Sequence, residues 1–323
     1  MGNLQRRLGV VAIGRNEGER LRRCLGSIPT GIPVVYVDSG SSDGSAEFAR
    51  DHGADVVGLV MAKPFTAARA RNEGLERLRA VHPGLEYVQF VDGDCEIETG
   101  WLETATAALD MDQAAAVVCG RRRERFPEAS FYNRLCNEEW DTPVGEVKAC
   151  GGDAAMRLEA LEAVKGYDPA IIAGEEPELC HRLRAAGWRV HRVDAPMTIH
   201  DADMHSLRQW WLRAVRSGFG YAQVWRKTAA SGADPLYGAE LWRALFWAIG
   251  LPLLGLALAA SLDLLWLLAV PALWLMQVAR LAVRGGPRKA TLLLVSKAAE
   301  ALGAARYMLM TLRGRRQGAI FYK

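Results

Sequence analysis

The chain has 323 residues, half of them apolar and 24% charged, a composition ordinary for a globular protein and long enough for one large domain plus an appendage. Its net charge of +3 gives no reason to expect a nucleic-acid partner, and its six scattered cysteines include no C-x-x-C pair. That excludes a zinc or disulfide framework and points to free thiols in a reducing compartment.

The N-terminus runs directly into a short strand pattern, with no apolar segment long enough for a signal peptide. Position 6 is Arg, which argues against myristoylation of Gly2. The apolar runs 8–13, 33–38, 54–60, 86–92 and 115–120 have strand length and β-branched content. Helical periodicity lies between them, at 21–28, 46–50, 67–78 and 102–109. This alternation predicts βαβ units, an α/β fold with a mostly parallel, Rossmann-like sheet flanked by helices. Ligands of such sheets sit beyond the carboxyl ends of the strands. The polar punctuation falls there: "GRNE" after the first run, "DSGSSDGS" after the second and "DGD" after the fourth.

Residues 121–205 are less regular, and the domain is expected to close at 206. In 207–232, Leu207, Trp210, Trp211, Ala214, Val215, Gly218, Tyr221, Ala222 and Trp225 share a helical face, with Arg208 and Arg216 off it. An interfacial amphipathic helix fits this pattern, as does an ordinary helix packed on the domain. Residues 233–285 hold a hydrophobic hairpin: 244–262 carry no charge, and 264–279 carry none after Asp263. At about 1.5 Å per residue the first leg just crosses a core of about 30 Å and the second falls short, so the hairpin is spanning or re-entrant. Basic residues flank both ends, which places those ends, and the catalytic domain, on the cytoplasmic side. Residues 286–323 are read as a membrane-associated helix, interfacial or packed on the hairpin, with a basic tail.

Asp92 and Asp94 stand one residue apart at a strand end. Two carboxylates that close repel unless a cation is expected between them. Asp38 ends the second strand before a Gly/Ser loop, in which Asp43 can cap the following helix. Arg69, Arg71 and Asn72 open a helix, and guanidinium groups match phosphate geometry.

Together "VVAIGRNE", "VYVDSGSSDGS", "ARARNEG", "FVDGD", "GGDAAMR" and "GEEPELCHRLRAAGW" resemble the family 2 glycosyltransferases of the GT-A fold, over residues 8–205. The resemblance implies inverting transfer of a single sugar, of the hexosyltransferase type, from a nucleotide-sugar donor with UDP favoured. It implies that Asn16, Glu17 and Asp38 hold the nucleoside, that Arg71 and Asn72 serve the donor, and that Asp92 lies near the ribose or metal. Asp94 then coordinates Mg²⁺ or Mn²⁺, Asp92 and His200 are further candidate ligands, and Glu175 and Glu176 form the acidic pair, with Glu176 as base. Oxygen ligands suit those hard cations, and the metal would stabilise the departing diphosphate. Asp153 stands where the family often has Asn. Gln209 is followed by "WWLR", not by the Q-x-x-R-W pattern of processive synthases.

The expected function is therefore addition of one sugar to a lipid-linked or membrane-held acceptor, as in glycolipid or cell-surface polysaccharide biosynthesis. A processive polysaccharide synthase, a nucleotidyltransferase and a non-catalytic membrane scaffold are the alternatives. A nucleotidyltransferase would need a lysine-bearing phosphate loop, which "GRNEGE" lacks, and a scaffold would be expected to have lost part of the acidic set.

Overall fold

In a computed structural model, which describes residues 4–60, 62, 65–230 and 234–314, the chain separates into two units that meet at residues 205 and 206. The first begins with a single helical turn, α1 (Leu4–Arg7), and continues β1 (Leu8–Gly14), α2 (Glu19–Gly26), β2 (Val34–Asp38), α3 (Ser45–Asp51), β3 (Asp55–Gly58), α4 (Ala67–Val81) and β4 (Tyr87–Asp92). Then follow β5 (Cys95–Ile97), α5 (Trp101–Met111), β6 (Ala115–Glu124), α6 (Phe131–Glu139), β7 (Gly145–Glu146), β8 (Ala154–Arg157), α7 (Leu158–Ala163), α8 (Glu175–Ala185) and β9 (Arg189–His200).

The nine strands form one sheet in the order β3-β2-β1-β4-β8-β6-β9-β5, with β7 on β9. β1 to β4 are mutually parallel, as the alternation predicts. Beyond β4 the sheet is mixed: β8 runs antiparallel to both β4 and β6, whereas β9 is parallel to β6. β8 and β9 come from the irregular stretch, where the connections run through α6 and β7 and then through α7 and α8 and return the chain in either direction.

β1, β4 and the first half of β6 are buried on both faces, which is why their sequences are continuous apolar runs rather than alternating ones. Helix α4 seats closely on the sheet at Gly74, where an added Cβ would come 2.5 Å from a Val11 methyl and 2.8 Å from one of Val37. The chain fills β1, β2 and β3 outward in one direction and then returns to place β4 on the other side of β1. The reversal opens a crevice at the carboxyl ends of β1 and β4, the usual ligand position in such sheets.

The second unit starts with α9 (Leu207–Ala229), closed at its N-terminus by a reciprocal Ser206–Gln209 capping box. Its buried face is shifted from the one the sequence suggests: Trp210, Ala214, Val215, Gly218 and Ala222 are buried and are joined by Phe219, Gln223, Val224 and Thr228, but Leu207 and Trp225 are exposed. α10 (Gly238–Leu245), a π-helical turn and α11 (Leu251–Ser261) make a helical run of 24 residues. After a turn at Asp263, a 3-10 turn leads into α12 (Ala269–Leu312). At Gly286 the backbone leaves helical geometry (φ 77°, ψ 163°) and α12 kinks. The returning leg thus extends past residue 279 to the kink and is longer than the uncharged stretch alone.

Both runs are long and apolar enough to cross a membrane, and only 17% and 6% of their apolar windows are buried. The two legs meet where Gly255 faces Val270 and where the Trp274 indole donates to the Trp247 carbonyl at 3.3 Å. Beyond the kink α12 packs on α9, with Gly303 against the Val215 backbone, Gly218 against that of Glu300, and the Phe219 and Tyr307 rings 5.3 Å apart. The expected basic tail at 315–323 and residues 231–233 lie outside the described residues.

Candidate active site

The loops after β1 and β2 are laced together. Asn16 takes a left-handed conformation (φ 55°), which a short amide side chain tolerates. Its backbone N–H donates to Ser41 Oγ at 2.9 Å, and its Oδ1 accepts from the Ser42 N–H at 2.8 Å. Asp43 joins the same lacing: one oxygen accepts from the Gly18 N–H at 3.0 Å and the other from the Ser45 N–H at 3.1 Å. The buried Asp38 carboxylate accepts from the Gly40 and Ser41 N–H groups at 3.0 and 2.9 Å. Glu17 pairs with Arg20 at 2.9 Å. Gly93, after β4, donates to the Ile13 carbonyl at 2.8 Å, so the Asp92-Gly93-Asp94 turn sits directly beside this loop.

Arg71 is 2% exposed and gathers three carboxylates: Asp92 at 2.9 Å, Glu175 at 3.0 Å and Glu176 at 3.1 Å. Its guanidinium also lies 5.5 Å from the centre of the Tyr167 ring. Gly152 closes over this group, since an added Cβ would overlap Arg71 Nη2 and lie 3.0 Å from Asp92 Oδ2 and 3.1 Å from Glu176 Oε1. Glu175 and Glu176 open α8 behind Gly174, whose φ of 86° favours glycine. Burial, then the neighbouring Glu175, pushes the Glu176 carboxyl up to about 7, against the pull of Arg71. Burial also raises Asp92, opposed by Arg71.

Asp94 is brought to His200 by strand register. Cys95 of β5 is the antiparallel partner of His200 at the end of β9, and this leaves Asp94 Oδ1 3.5 Å from His200 Nε2. The Cys95 thiol is within reach of both, but burial holds its pKa well above the usual range. A protonated thiol is a poor ligand for a hard cation, so the useful donors are the carboxylate and the imidazole.

The geometry redistributes several residues singled out in the sequence. The Asp92 carboxylate joins Arg71 and the acidic pair, not Asp94 and His200. Asn72 spends its amide on the Tyr167 backbone, accepting at 2.9 Å and donating at 2.7 Å, so it shapes the turn before α8 instead of presenting itself to a donor. Arg71 faces carboxylates, where the sequence suggested phosphate. Asp153 is fully buried: it accepts from the Asp92 N–H at 3.1 Å and the Thr198 hydroxyl at 2.8 Å and pairs with Arg122 at 2.7 Å. The sequence reading passed over Arg122 and Glu124. The signal was present in "RRRER", where the two-residue period of a strand sends Arg122 and Glu124 to one face and Arg121 and Arg123 to the other.

Comparison with known proteins agrees with this architecture. The sequence profile of Glycosyl transferase family 2 matches residues 10–160. An uncharacterized glycosyltransferase of Mycobacterium tuberculosis is 31% identical over 198 residues, 55% of this chain and 79% of that one. The chain belongs to glycosyl transferase family 2. The pre-mycofactocin glycosyltransferase of Mycobacterium tuberculosis is 30% identical over 67% of this chain, which spans about half (47%) of that relative's length. The succinoglycan biosynthesis protein ExoA of Rhizobium meliloti is 28% identical over 56% of this chain and 57% of its own. Among solved structures, the mannosyltransferase PcManGT from Pyrobaculum calidifontis, in complex with GDP-Man and Mn²⁺, superposes with a TM-score of 0.63 at 20% identity, covering 93% of this chain and 87% of that one. GalNAc-T7, with UDP, GalNAc and Mn²⁺, superposes with a TM-score of 0.51 at 16% identity over 76% and 51% of the two chains. These superpositions give the family 2 chain its GT-A fold.

Proposed function

We propose that this family 2 enzyme transfers a single sugar, with inversion, from a nucleotide-sugar donor to a lipid-linked or membrane-held acceptor at the cytoplasmic membrane face. The observation that carries the reading is the convergence of the laced loop around Asp38, the Asp94–His200 pair and the Glu176 group at the strand ends of one crevice. The acceptor hydroxyl attacks the anomeric carbon from the side opposite the leaving diphosphate. As the new C–O bond forms and the old one breaks, Glu176 takes the hydroxyl proton. A carboxyl poised near neutrality suits a general base. Arg71 keeps that carboxylate aimed and supports its ionised form, and Gly152 leaves room for the cluster.

Asp38 and the Asn16–Glu17 loop would hold the nucleoside. Asp94 and His200 fit a divalent cation, Mg²⁺ or Mn²⁺, because strand register brings a carboxylate oxygen and an imidazole nitrogen to 3.5 Å, a donor set such cations accept. When bound, the metal supplies charge stabilisation for the departing diphosphate. UDP-sugars are the first donors to test on the family resemblance, and the GDP-Man held by PcManGT makes GDP the necessary comparison. The two apolar helices, flanked by basic residues, support a membrane-held acceptor, since confinement to one surface raises its effective concentration.

Calorimetric titration of the detergent-solubilised chain with UDP and GDP, with and without Mn²⁺, tests the reading. Metal-dependent binding of one nucleotide that disappears in Asp94→Ala is the expected result. Failure of both nucleotides to bind under every metal condition would overturn it.

A further inference from the structure

Glu124 lies at the end of β6, behind His200. Its side chain is wholly buried, and its partners all come from the segments around the metal-facing strand end. Oε1 accepts from the Phe126 N–H and the Asn133 amide, both at 3.2 Å, while Oε2 accepts from the N–H of Ala202, two residues beyond His200, at 3.0 Å. The same Oε2 is 3.9 Å from His200 Nδ1, a buried nitrogen with no hydrogen-bond partner. Trp140 closes another side of the imidazole, edge to ring at 4.8 Å.

A neutral imidazole carries one proton on one of its two nitrogens. For Nε2 to offer a lone pair toward the cation beside Asp94, the proton must sit on Nδ1. A buried N–H requires an acceptor, and Glu124 Oε2 is the carboxylate placed to be one. We infer that Glu124 is a positioning residue that selects the Nδ1–H tautomer of His200 and thereby directs Nε2 at the divalent metal. This rests on the proposed ligation by His200. A sub-ångström approach of the ring closes the remaining distance, and the three N–H donors already fixed to Glu124 prevent the carboxylate from turning away.

The substitution Glu124→Gln has a directional consequence. Its oxygen stays on the two donors Phe126 N–H and Asn133 amide rather than on the single Ala202 N–H, which leaves the amide NH₂ facing His200 at the loss of the Ala202 bond. That group donates, so Nδ1 must accept, and the ring proton moves to Nε2, the atom that should face the metal. Glu124→Asp keeps an acceptor and serves as the conservative variant.

The test uses the full chain in detergent, with Mn²⁺ titrated in the presence of saturating UDP or GDP and free Mn²⁺ read by electron paramagnetic resonance. The His200 tautomer is read separately, without metal, by ring-¹⁵N NMR, and His200→Gln identifies its resonances. Expected are an Nδ1–H tautomer in the wild type, an Nε2–H tautomer in Glu124→Gln, and Mn²⁺ binding weakened about 10- to 100-fold in that variant, with Glu124→Asp retaining most of the affinity. If His200→Gln weakens Mn²⁺ binding but Glu124→Gln neither weakens it nor changes the tautomer, the role of Glu124 is overturned while ligation by His200 stands. If His200→Gln leaves Mn²⁺ affinity unchanged, ligation itself fails and this inference with it. A Glu124→Gln protein that melts earlier yet keeps the wild-type tautomer and affinity would reduce Glu124 to a structural residue and overturn the proposal.

Discussion

The Arg71 guanidinium stands 3.1 Å from the Glu176 carboxylate, and the same guanidinium holds Asp92 and Glu175. One buried cation thus serves three carboxylates. Replacing it with a neutral residue of similar length, Arg71→Met, leaves the acidic groups facing one another. Breaking a buried ion pair from one side costs about 3–5 kcal/mol, and a loss of that size is expected in chemical denaturation. Because Arg71 is what opposes the upward push on Glu176, any residual activity should move its acid limb to higher pH. Unchanged stability would mean that the carboxylates find water or another cation.

The pH dependence follows from Glu176. Its carboxyl titrates near 7 in the folded protein, against 4.5 as its ordinary value. As the proposed base, Glu176 must be ionised to accept a proton, so kcat/KM is expected to rise with pH through about 7 and level off above it. Stability runs the other way. Between 4.5 and 7 the folded chain holds a proton that the unfolded chain has released, so the contribution of this group is fully present below 4.5 and is lost as pH rises through 7. Glu176→Gln should therefore lose turnover at every pH while melting above the wild type at pH 8. Melting curves for both proteins from pH 5 to 8 would expose a wrong sign at once.

Gly152 is a position where a single methyl matters. In Gly152→Ala the added carbon meets Arg71, Asp92 and Glu176 together, and overpacking of this kind costs about 1–3 kcal/mol. Since the displaced atoms are those of the proposed base and its partners, the loss is expected mainly in kcat, by about 10- to 100-fold at 1.4 kcal/mol per decade. Steady-state kinetics on purified protein would separate this from a simple loss of fold, in which the active fraction falls and kcat per active site does not.

In the second unit the crossing of α9 and α12 depends on two glycines. A Cβ at Gly303 would strike the Val215 carbonyl, and one at Gly218 the backbone of Glu300. Small residues that let helix backbones touch are a recurrent basis of packing in membranes. Gly303→Leu should separate the pair and lower the temperature at which the detergent-solubilised protein aggregates, measured by fluorescence-detected size exclusion. Leu302, one position away and partly exposed, is the control, and Leu302→Ala should do little.

β1 and β4 were legible because burial on both faces writes an unbroken β-branched run into the sequence, and the half-buried β3 was legible from its two valines. β8 was not, since "AAMR" has the composition of a helix and becomes a strand only between β4 and β6. β9 is interrupted by charges and by Pro196, and it pairs with β6 through register shifts. At the candidate site, motif and position were enough to set Asp38, Asp92, Asp94 and the acidic pair at the edge of one crevice. They were not enough for the division between the Arg71 cluster and the Asp94–His200 pair, because it depends on β5–β9 register and on where a guanidinium reaches. Asn72 shows the limit most clearly: its place in a motif suggested a ligand contact, and its amide belongs to a turn far along the chain.

The cross-links between Asn16, Ser41, Ser42, Asp43 and Gly18 bear on how a ligand would be received there. Ordering a flexible residue costs roughly 1–2 kcal/mol of conformational entropy, and a loop that had to be organised around each incoming molecule would give up part of its affinity to that cost. Here the backbone is already held by its own side chains. The end of the crevice proposed to take the nucleoside is thus a socket built in advance of its ligand.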